Sequence, residues 1–229
     1  MITFEHVSKR YPGGVTALQD VNIELAAGEM AFLTGHSGAG KSTLLRLVLM
    51  LERASRGQVV VNGRNLGKTP ARRAPQVRRG IGMIFQDHKL LSDKTVFDNV
   101  SLPLMIAGLR YPDIRKRVRA ALDKVGLLSK EKSWPLTLSG GEQQRVGIAR
   151  AIVGMPPILL ADEPTGNLDP DLSQDLFNLF LQLNRQGVTV LIASHDLALI
   201  RSMGQRVLVL SGGRLVDDIS AAEIRGAGP

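Results

Sequence analysis

Short apolar runs alternate with amphipathic segments along most of the chain. Runs of this length that are rich in β-branched residues and bounded by turn residues are typical of β-strands. They occupy residues 2–7, 21–25, 30–34, 58–62, 81–85, 158–161, 188–193 and 206–210, and a last strand at 214–217 follows a Gly-Gly turn.

Three of the segments between these runs carry helix signals. Residues 41–52 are rich in Leu, and residues 112–125 place apolar side chains at helical spacing. The third helix is the best marked, because Asp169 can cap it, Pro170 suits its first turn and Gly187 follows its end.

Fully apolar strands that alternate with helices indicate a mostly parallel sheet, whereas the alternating pattern of the first strands indicates an antiparallel edge. The predicted fold class is therefore α/β. No strong strand signal occurs between Gln86 and about Leu138, which predicts an inserted helical subdomain. We expect one domain over residues 1–229, with a core of residues 1–86 and 156–229 and a helical subdomain at about 87–155.

The composition narrows the class of protein. The 229 residues are 44% hydrophobic and 22% charged, as in an ordinary globular protein, and no apolar run approaches the ~20 residues that span a bilayer. The N-terminal pattern predicts a strand rather than a signal peptide. The absence of Cys excludes thiolate metal sites and Cys nucleophiles.

The formal charge of +8 favours contact with phosphate, nucleic acid or an anionic membrane surface, and does not choose among them. The basic residues concentrate in residues 64–79 and 110–119. Each cluster is explained equally well as a face that contacts water.

Residues 35–43, GHSGAGKST, match the pattern G-x-x-x-x-G-K-[ST] between a predicted strand and a predicted helix. Backbone N–H groups of such a loop surround phosphate oxygens, and the helix N-terminus adds a partial positive charge. Lys41 supplies a point charge to the β- and γ-phosphates, and Ser42 can ligate Mg²⁺. The predicted nucleotide-binding residues of this loop are Gly35, His36, Ser37, Gly38, Ala39, Gly40, Lys41, Ser42 and Thr43.

Two carboxylates, Asp162 and Glu163, end the apolar strand at 158–161. Together with the phosphate loop they predict that Asp162 holds the Mg²⁺ shell and that Glu163 polarises the attacking water. The alternative, a carboxylate that caps the turn before Pro164, accounts for one acid but poorly for two.

The segment LSGGEQ, residues 138–143, has the Ser-x-x-Glu spacing of a capping box. Gly140 and Gly141 in the first turn weaken a helix by ~1 kcal/mol each relative to Ala, which indicates a close approach of the backbone to a phosphate. One nucleotide needs only one phosphate loop. The second helix start therefore predicts a head-to-tail dimer with two ATP molecules between the subunits.

These motifs together resemble the ATP-binding subunits of ABC transporters, and their order and spacing cover the whole chain. The resemblance implies a P-loop NTPase fold of the ABC type that hydrolyses ATP with Mg²⁺. It also implies a role for each matching residue. Tyr11 would stack on adenine, Gln86 would sense Mg²⁺ and the γ-phosphate, and His195 would hold the γ-phosphate. Ser139, Gly141 and Gln143, with Gly140 between them, would contact the ATP of the second subunit, and Asp169 would bridge the dimer.

Within the family, the chain is most similar to the ATPases of bacterial cell division. This implies a peripheral protein on the cytoplasmic face of the inner membrane, which pairs with an FtsX-like integral membrane protein, controls cell-wall hydrolases and meets other division-ring proteins. ATPases of lipoprotein-releasing and macrolide-export systems share the ADEPTGNLD segment and remain the alternative.

Three other classes of function are alternatives to this interpretation. An ATPase that acts on nucleic acid is disfavoured by the 4% aromatic content and the lack of a long coiled coil, so no nucleic-acid partner is expected. A small-molecule kinase would give LSGGEQ no role. A nucleotide-gated scaffold with little turnover stays open, although Glu163 favours hydrolysis.

Overall fold

The computed structural model describes residues 1–166 and 168–226 of the chain. The strands are β1 (Ile2–Arg10), β2 (Thr16–Leu25), β3 (Met30–Thr34), β4 (Arg56–Val61), β5 (Arg64–Asn65), β6 (Ile81–Ile84), β7 (Ile158–Asp162), β8 (Thr189–Ala193), β9 (Arg206–Ser211) and β10 (Arg214–Ile219). The helices are α1 (Lys41–Val48), α2 (Ala74–Arg78), α3 (Val96–Ile106), α4 (Tyr111–Lys124), α5 (Gly140–Ile152), α6 (Pro170–Arg185), α7 (Leu197–Met203) and α8 (Ala221–Gly226).

The contacts divide the chain into two units. Unit 1 comprises residues 1–78 and the chain from Leu181 onward, and unit 2 comprises Arg79–Phe180. The predicted subdomain at about 87–155 lies inside the range of unit 2, which also includes β6, β7 and most of α6. The narrower division stays a prediction.

An antiparallel sheet in unit 1 confirms the predicted antiparallel edge. Its strand order is β2-β1-β4-β5, and Ile2 is paired with Leu25 on one side and with Val61 on the other. Many side chains of β1 and β2 alternate between buried and more exposed positions. This alternation is expected of a sheet with one face on the core.

The parallel strands of unit 1 are β3, β8 and β9, with β3 in the middle. Leu33 is paired with Ala193 of β8 and with Leu208 of β9, and every residue of β3 and β8 is buried. Strands covered on both faces are continuously apolar, as the sequence predicted. The chain segments that follow β3 and β8 therefore leave the sheet at the same edge.

Unit 2 contains the parallel pair β6 and β7, in which Ile84 is opposite Ala161. Between these two strands the described chain forms helices and loops and no strand, as predicted. Helix α4 buries Ile114, Val118, Ala121 and Leu122, which are members of its predicted apolar stripe.

Several predicted boundaries are wrong. Strand β1 continues to Arg10 instead of ending at residue 7, and β2 begins at Thr16 instead of residue 21. The first helix ends at Val48 rather than at residue 52, because Met50 has a left-handed backbone with φ 52°. The last strand was predicted to end at residue 217, yet β10 continues to Ile219 and α8 follows it. A Ser-x-x-Glu cap starts α8, since Ser220 Oγ accepts from the Glu223 N–H at 3.3 Å. The last three residues, 227–229, lie outside the described chain.

Asn99 of α3 is a buried polar residue that holds the loop before the helix. Its side chain is fully buried, its Oδ1 accepts from the Leu91 N–H at 2.8 Å, and its Nδ2 lies within reach of three carbonyls, of Leu91, Lys94 and Thr95. We expect Asn99→Ala to lower the free energy of unfolding by about 2–4 kcal/mol, because several buried groups lose their partner. Urea unfolding measures this, with the exposed Asn178→Ala on α6 as the control. Equal effects of the two changes would contradict the assigned role.

Candidate functional site

The phosphate loop connects β3 to α1 in unit 1. Residues 36–38 are exposed, whereas Ala39 and Gly40 are buried. Gly40 occupies the N-cap position of α1 with φ 109°, and no side chain caps the helix there. The start of α1 therefore presents backbone N–H groups next to an exposed loop, which is the arrangement that binds phosphate.

The turn between β9 and β10 is bonded to this loop through the backbone. The Gly213 N–H donates to the carbonyl of Ala39 at 3.2 Å, and the carbonyl of Gly213 accepts from the Gln19 N–H at 2.7 Å. Gly35 lies against β9 so closely that an added Cβ would be 2.1 Å from the carbonyl oxygen of Leu210. The loop is thus fixed by backbone contacts that leave no room for a side chain at Gly35.

We expect Gly35→Ala to destabilise the protein by about 3 kcal/mol or more and to weaken ATP binding. The change combines the clash with Leu210 and a φ of +143° that L residues rarely adopt. Gly38→Ala is the matched control, since Gly38 also has a positive φ but no atom within 4 Å of an added Cβ. Urea unfolding separates the two variants, and similar losses of stability in both would contradict the packing argument. The thermal shift with ATP measures the binding defect of Gly35→Ala.

Lys41 and Tyr11 both contact the phosphate-loop region in unit 1. Lys41 Nζ donates to the carbonyl of Gly35 at 2.7 Å. The hydroxyls of Tyr11 and Thr43 form a hydrogen bond of 3.3 Å. The aromatic residue predicted to stack on adenine is therefore linked directly to the first turn of α1.

His195 follows β8 and is exposed. The preceding residue, Ser194, is buried, and its N–H donates to the carbonyl of Leu33 at 3.1 Å. Asp196 caps α7, because its Oδ1 accepts from the Leu199 N–H at 3.0 Å. Since β3 and β8 are parallel neighbours, the structure places His195 at the sheet edge from which the phosphate loop starts.

Gln86, Asp162 and Glu163 lie together in unit 2, at the carboxyl ends of β6 and β7. Gln86 is exposed, and the two acids are half-buried. Glu163 has a left-handed backbone with φ 48°, and its carbonyl accepts from the Gly166 N–H at 3.3 Å. Non-Gly residues in this conformation are uncommon and concentrate at functional sites.

The LSGGEQ segment forms the N-terminus of α5 and contains the predicted capping box. Ser139 Oγ accepts from the Glu142 N–H at 3.3 Å, and the Glu142 carboxylate accepts from the Ser139 N–H at 2.9 Å. A bond of 2.7 Å from Lys130, followed by the Ser139 N–H, lowers the pKa of Glu142. Ser139 and Gly140 are exposed, and an added Cβ at Gly140 would meet no atom within 4 Å.

Asp169 precedes α6 and caps it as the sequence predicted. Its Oδ1 accepts from the Leu172 N–H at 2.9 Å. The residue is exposed, so the cap leaves part of its carboxylate accessible. Asn167 of the same motif lies outside the described residues.

The residues predicted to hold Mg²⁺ offer a hydroxyl, an amide and a carboxylate oxygen, from Ser42, Gln86 and Asp162. Oxygen ligands of this kind, with one or two carboxylates completed by nucleotide phosphates and water, are the usual ligands of Mg²⁺. Within the described part of the chain, no three His, Asp or Glu side chains form a separate metal-binding group. The donor set therefore fits Mg²⁺ that is bound together with a nucleotide.

Sequence reasoning missed the support of Tyr11. Lys9 is buried, its Nζ lies 4.8 Å from the centre of the Tyr11 ring, and it forms an ion pair of 2.7 Å with Glu52. A cation over an aromatic ring stabilises the position of the ring. The sequence contained one signal for this contact. Side chains two positions apart, such as those of residues 9 and 11, lie on the same face of an extended strand.

This fold defines a P-loop nucleotide-binding cassette, together with the phosphate loop of unit 1 and the acidic and LSGGEQ residues of unit 2. The family model described as "ABC transporter" matches residues 18–166. The chain belongs to the ABC transporter family.

The similar curated proteins are cell-division ATP-binding proteins named FtsE. The protein from Escherichia coli K12 is 60% identical over 215 residues, which cover 94% of this chain and 97% of that protein. The proteins from Mycobacterium tuberculosis and Streptococcus pneumoniae D39 are 49% and 44% identical, and each match covers at least 95% of both chains.

Among solved structures, the dimeric structure of MJ0796, described as a bacterial ABC transporter cassette, superposes with a TM-score of 0.92 at 34% identity. The match covers 96% of this chain and 99% of that one. CbiO1 from Clostridium perfringens, part of the transporter complex cbiONQ, superposes with a TM-score of 0.88 at 29% identity, over 99% and 90% of the two chains. None of the helices in the described residues has the length and hydrophobicity needed to cross a membrane.

Proposed function

We propose that this chain is the ATP-binding and ATP-hydrolysing subunit of a membrane-bound ABC complex that acts in bacterial cell division. The observation that carries the proposal is the near-full-length identity of 44–60% to proteins named for that role. The phosphate loop, the two acids at the carboxyl end of β7 and the LSGGEQ helix start support the ATPase part independently of any name.

The phosphate loop binds the β- and γ-phosphates through its backbone N–H groups and Lys41, and Tyr11 stacks on adenine. Ser42, Gln86 and Asp162 would hold Mg²⁺, which when bound would neutralise charge on the phosphates. The Glu163 carboxylate accepts a proton from water as the water oxygen attacks the γ-phosphorus and ADP leaves. His195 donates a hydrogen bond to a γ-phosphate oxygen.

A homodimer completes each nucleotide site. The first turn of α5 exposes Ser139 and Gly140, with open space next to Gly140, so a phosphate group of a second copy's ATP can approach the backbone there. Gly141 and Gln143 contact the same ATP, and Asp169 bridges the two copies. The dimeric cassette of MJ0796 supports this arrangement.

ATP-driven closure of the dimer is passed to an FtsX-like integral membrane protein through Gln86 and the helical region, and this partner holds the chain at the cytoplasmic face of the inner membrane. The signal controls cell-wall hydrolases and involves other proteins of the division ring. Hydrolysis reopens the dimer.

Co-purification tests the partner. A tagged Glu163→Gln chain is isolated with ATP from solubilised bacterial membranes, and the integral membrane proteins that come with it are identified. We expect to recover an FtsX-like protein. Its recovery should require a chain that binds ATP, so the Lys41→Ala variant serves as the control. Recovery of a lipoprotein-release or drug-efflux permease instead would move the function to transport.

A further inference from the structure

Gln144 is a buried polar residue on α5, five positions after Ser139, and the nucleotide contacts described above do not use it. Its side chain is 2% exposed, and its neighbours on α5, Val146 and Ile148, are buried apolar residues. An amide in such surroundings requires partners for both of its polar ends. The two partners lie on two loops of unit 2, of which one carries Gln86, a predicted Mg²⁺ and nucleotide ligand, and the other carries Glu163, the predicted general base.

The hydrogen bonds determine the orientation of the amide. Gln144 Nε2 donates to the carbonyl of Pro164 at 2.7 Å, directly after Glu163. Gln144 Oε1 forms a hydrogen bond with Nδ1 of His88, two residues after Gln86. Because the amide nitrogen is the donor to Pro164, Oε1 is the acceptor, and His88 Nδ1 must carry a proton.

Both loops have a strained backbone at these contacts. His88, Lys89 and Glu163 are non-Gly residues with φ of 57°, 47° and 48°. Such conformations persist where surrounding contacts hold them. Arg150, further along α5, adds bonds of 2.6 Å and 2.7 Å to the carbonyls of His88 and Lys89. Helix α5 therefore binds the loop after β6, which carries Gln86, through Gln144 and Arg150. It binds the turn after β7, which carries Glu163, through Gln144.

Stability alone does not account for a glutamine at this position. The net gain from two neutral hydrogen bonds is comparable to the rotamer entropy lost when a Gln side chain is fixed, so a well-packed apolar residue would serve equally well. An apolar residue cannot donate a hydrogen bond, so it cannot orient a carbonyl group. Only a donor at this position fixes the peptide group between Pro164 and Thr165, directly after Glu163.

We infer that Gln144 is a positioning residue for ATP hydrolysis, because its amide joins the LSGGEQ helix to the turn that carries Glu163 and to the loop that carries Gln86. The inference rests on the proposed function. A displacement of α5, whose N-terminus contacts the second subunit's ATP, is transmitted by Gln144 to the position of Glu163. Closure of the dimer and alignment of the Glu163 carboxylate, the general base, are thereby coupled.

Steady-state ATPase kinetics with Gln144→Met and Gln144→Glu test this inference. The Met variant keeps the length of the side chain and removes both bonds. The ionised carboxylate of the Glu variant still accepts from His88 but cannot donate to Pro164. For both we expect kcat to fall at least about 10-fold, with KM for ATP and the dissociation constant of a fluorescent ATP analogue within about 2-fold of wild type. His88→Ala, which leaves the Pro164 bond intact, should lose less.

The control is Gln174→Met, at an exposed position of α6, which should retain the wild-type kcat. A double variant gives the most specific readout. If Gln144 acts through Glu163, single-turnover hydrolysis by Gln144→Met with Glu163→Gln should be no slower than by Glu163→Gln alone, whereas a general loss of structure would add to the defect.

Wild-type kcat in both Gln144 variants, or a parallel loss of kcat and ATP affinity, would overturn the inference. The proposed function has its own, separate failure: wild-type protein without ATP turnover, or turnover that survives Glu163→Gln. If Gln144→Met does not fold, Gln144→Glu and His88→Ala provide the same comparison, because each keeps one of the two bonds.

Discussion

ATP turnover by Glu163→Gln is expected to be lower than wild type by roughly 10²–10⁴-fold, the range that a general base contributes. The amide has nearly the same size as the carboxylate but cannot accept the proton from water. Glu163 is half-buried, and its left-handed φ of 48° is retained by the substitution, so ATP binding should persist. Phosphate release and equilibrium binding of a fluorescent ATP analogue measure the two quantities separately.

The same variant should accumulate as a dimer with ATP and as a monomer without it, which light scattering after gel filtration detects. Glu24→Gln is the matched control, because the change is identical and Glu24 is exposed on β2. Unchanged turnover in Glu163→Gln would remove the general-base assignment while leaving nucleotide binding intact.

Lys41→Ala is expected to weaken ATP binding by about 10²-fold. Lys41 Nζ lies at the phosphate loop, where it donates to the Gly35 carbonyl at 2.7 Å, and a bonded cation contributes about 1.5–3 kcal/mol per charged partner. At an ATP concentration near 100 times the wild-type dissociation constant, the stabilisation of ~2.7 kcal/mol by bound ligand should fall to below about 1 kcal/mol. Thermal unfolding with and without ATP measures this shift.

Lys68→Ala provides the comparison, since Lys68 is an exposed lysine in the same unit. It removes the same charge from the protein, so a general electrostatic effect on ATP binding would appear in both variants. A thermal shift retained by Lys41→Ala would place the phosphates away from this loop.

Much of the fold could be predicted from local patterns. The strands at 30–34, 81–85 and 158–161 were located to within a residue of β3, β6 and β7, because buried parallel strands are continuous apolar runs. Helix α6 was located by its cap at Asp169 and by Gly187 after its end, both of which are local signals. The first helix was predicted too long, because the left-handed turn at Met50 has no side-chain signature.

For the candidate site, the sequence identified the loop at 35–43 and the acids Asp162 and Glu163, because their chemistry depends on residue type and spacing. The capping box of α5 was also readable, since its partners are three residues apart. The structure added the strand registers. They place His195 at the sheet edge where the phosphate loop begins, and Gln86 at the sheet edge where Asp162 lies.

The sequence by itself therefore determined which residues carry charge, hydroxyl or backbone freedom at the spacings that nucleotide chemistry needs. Only the tertiary structure decided what holds them, as with the Leu210 carbonyl behind Gly35 and the Pro164 carbonyl at Gln144. Both are backbone groups, and every residue type has the same carbonyl. A sequence pattern cannot specify such a partner, because the contact depends on where distant segments pack and not on their side chains.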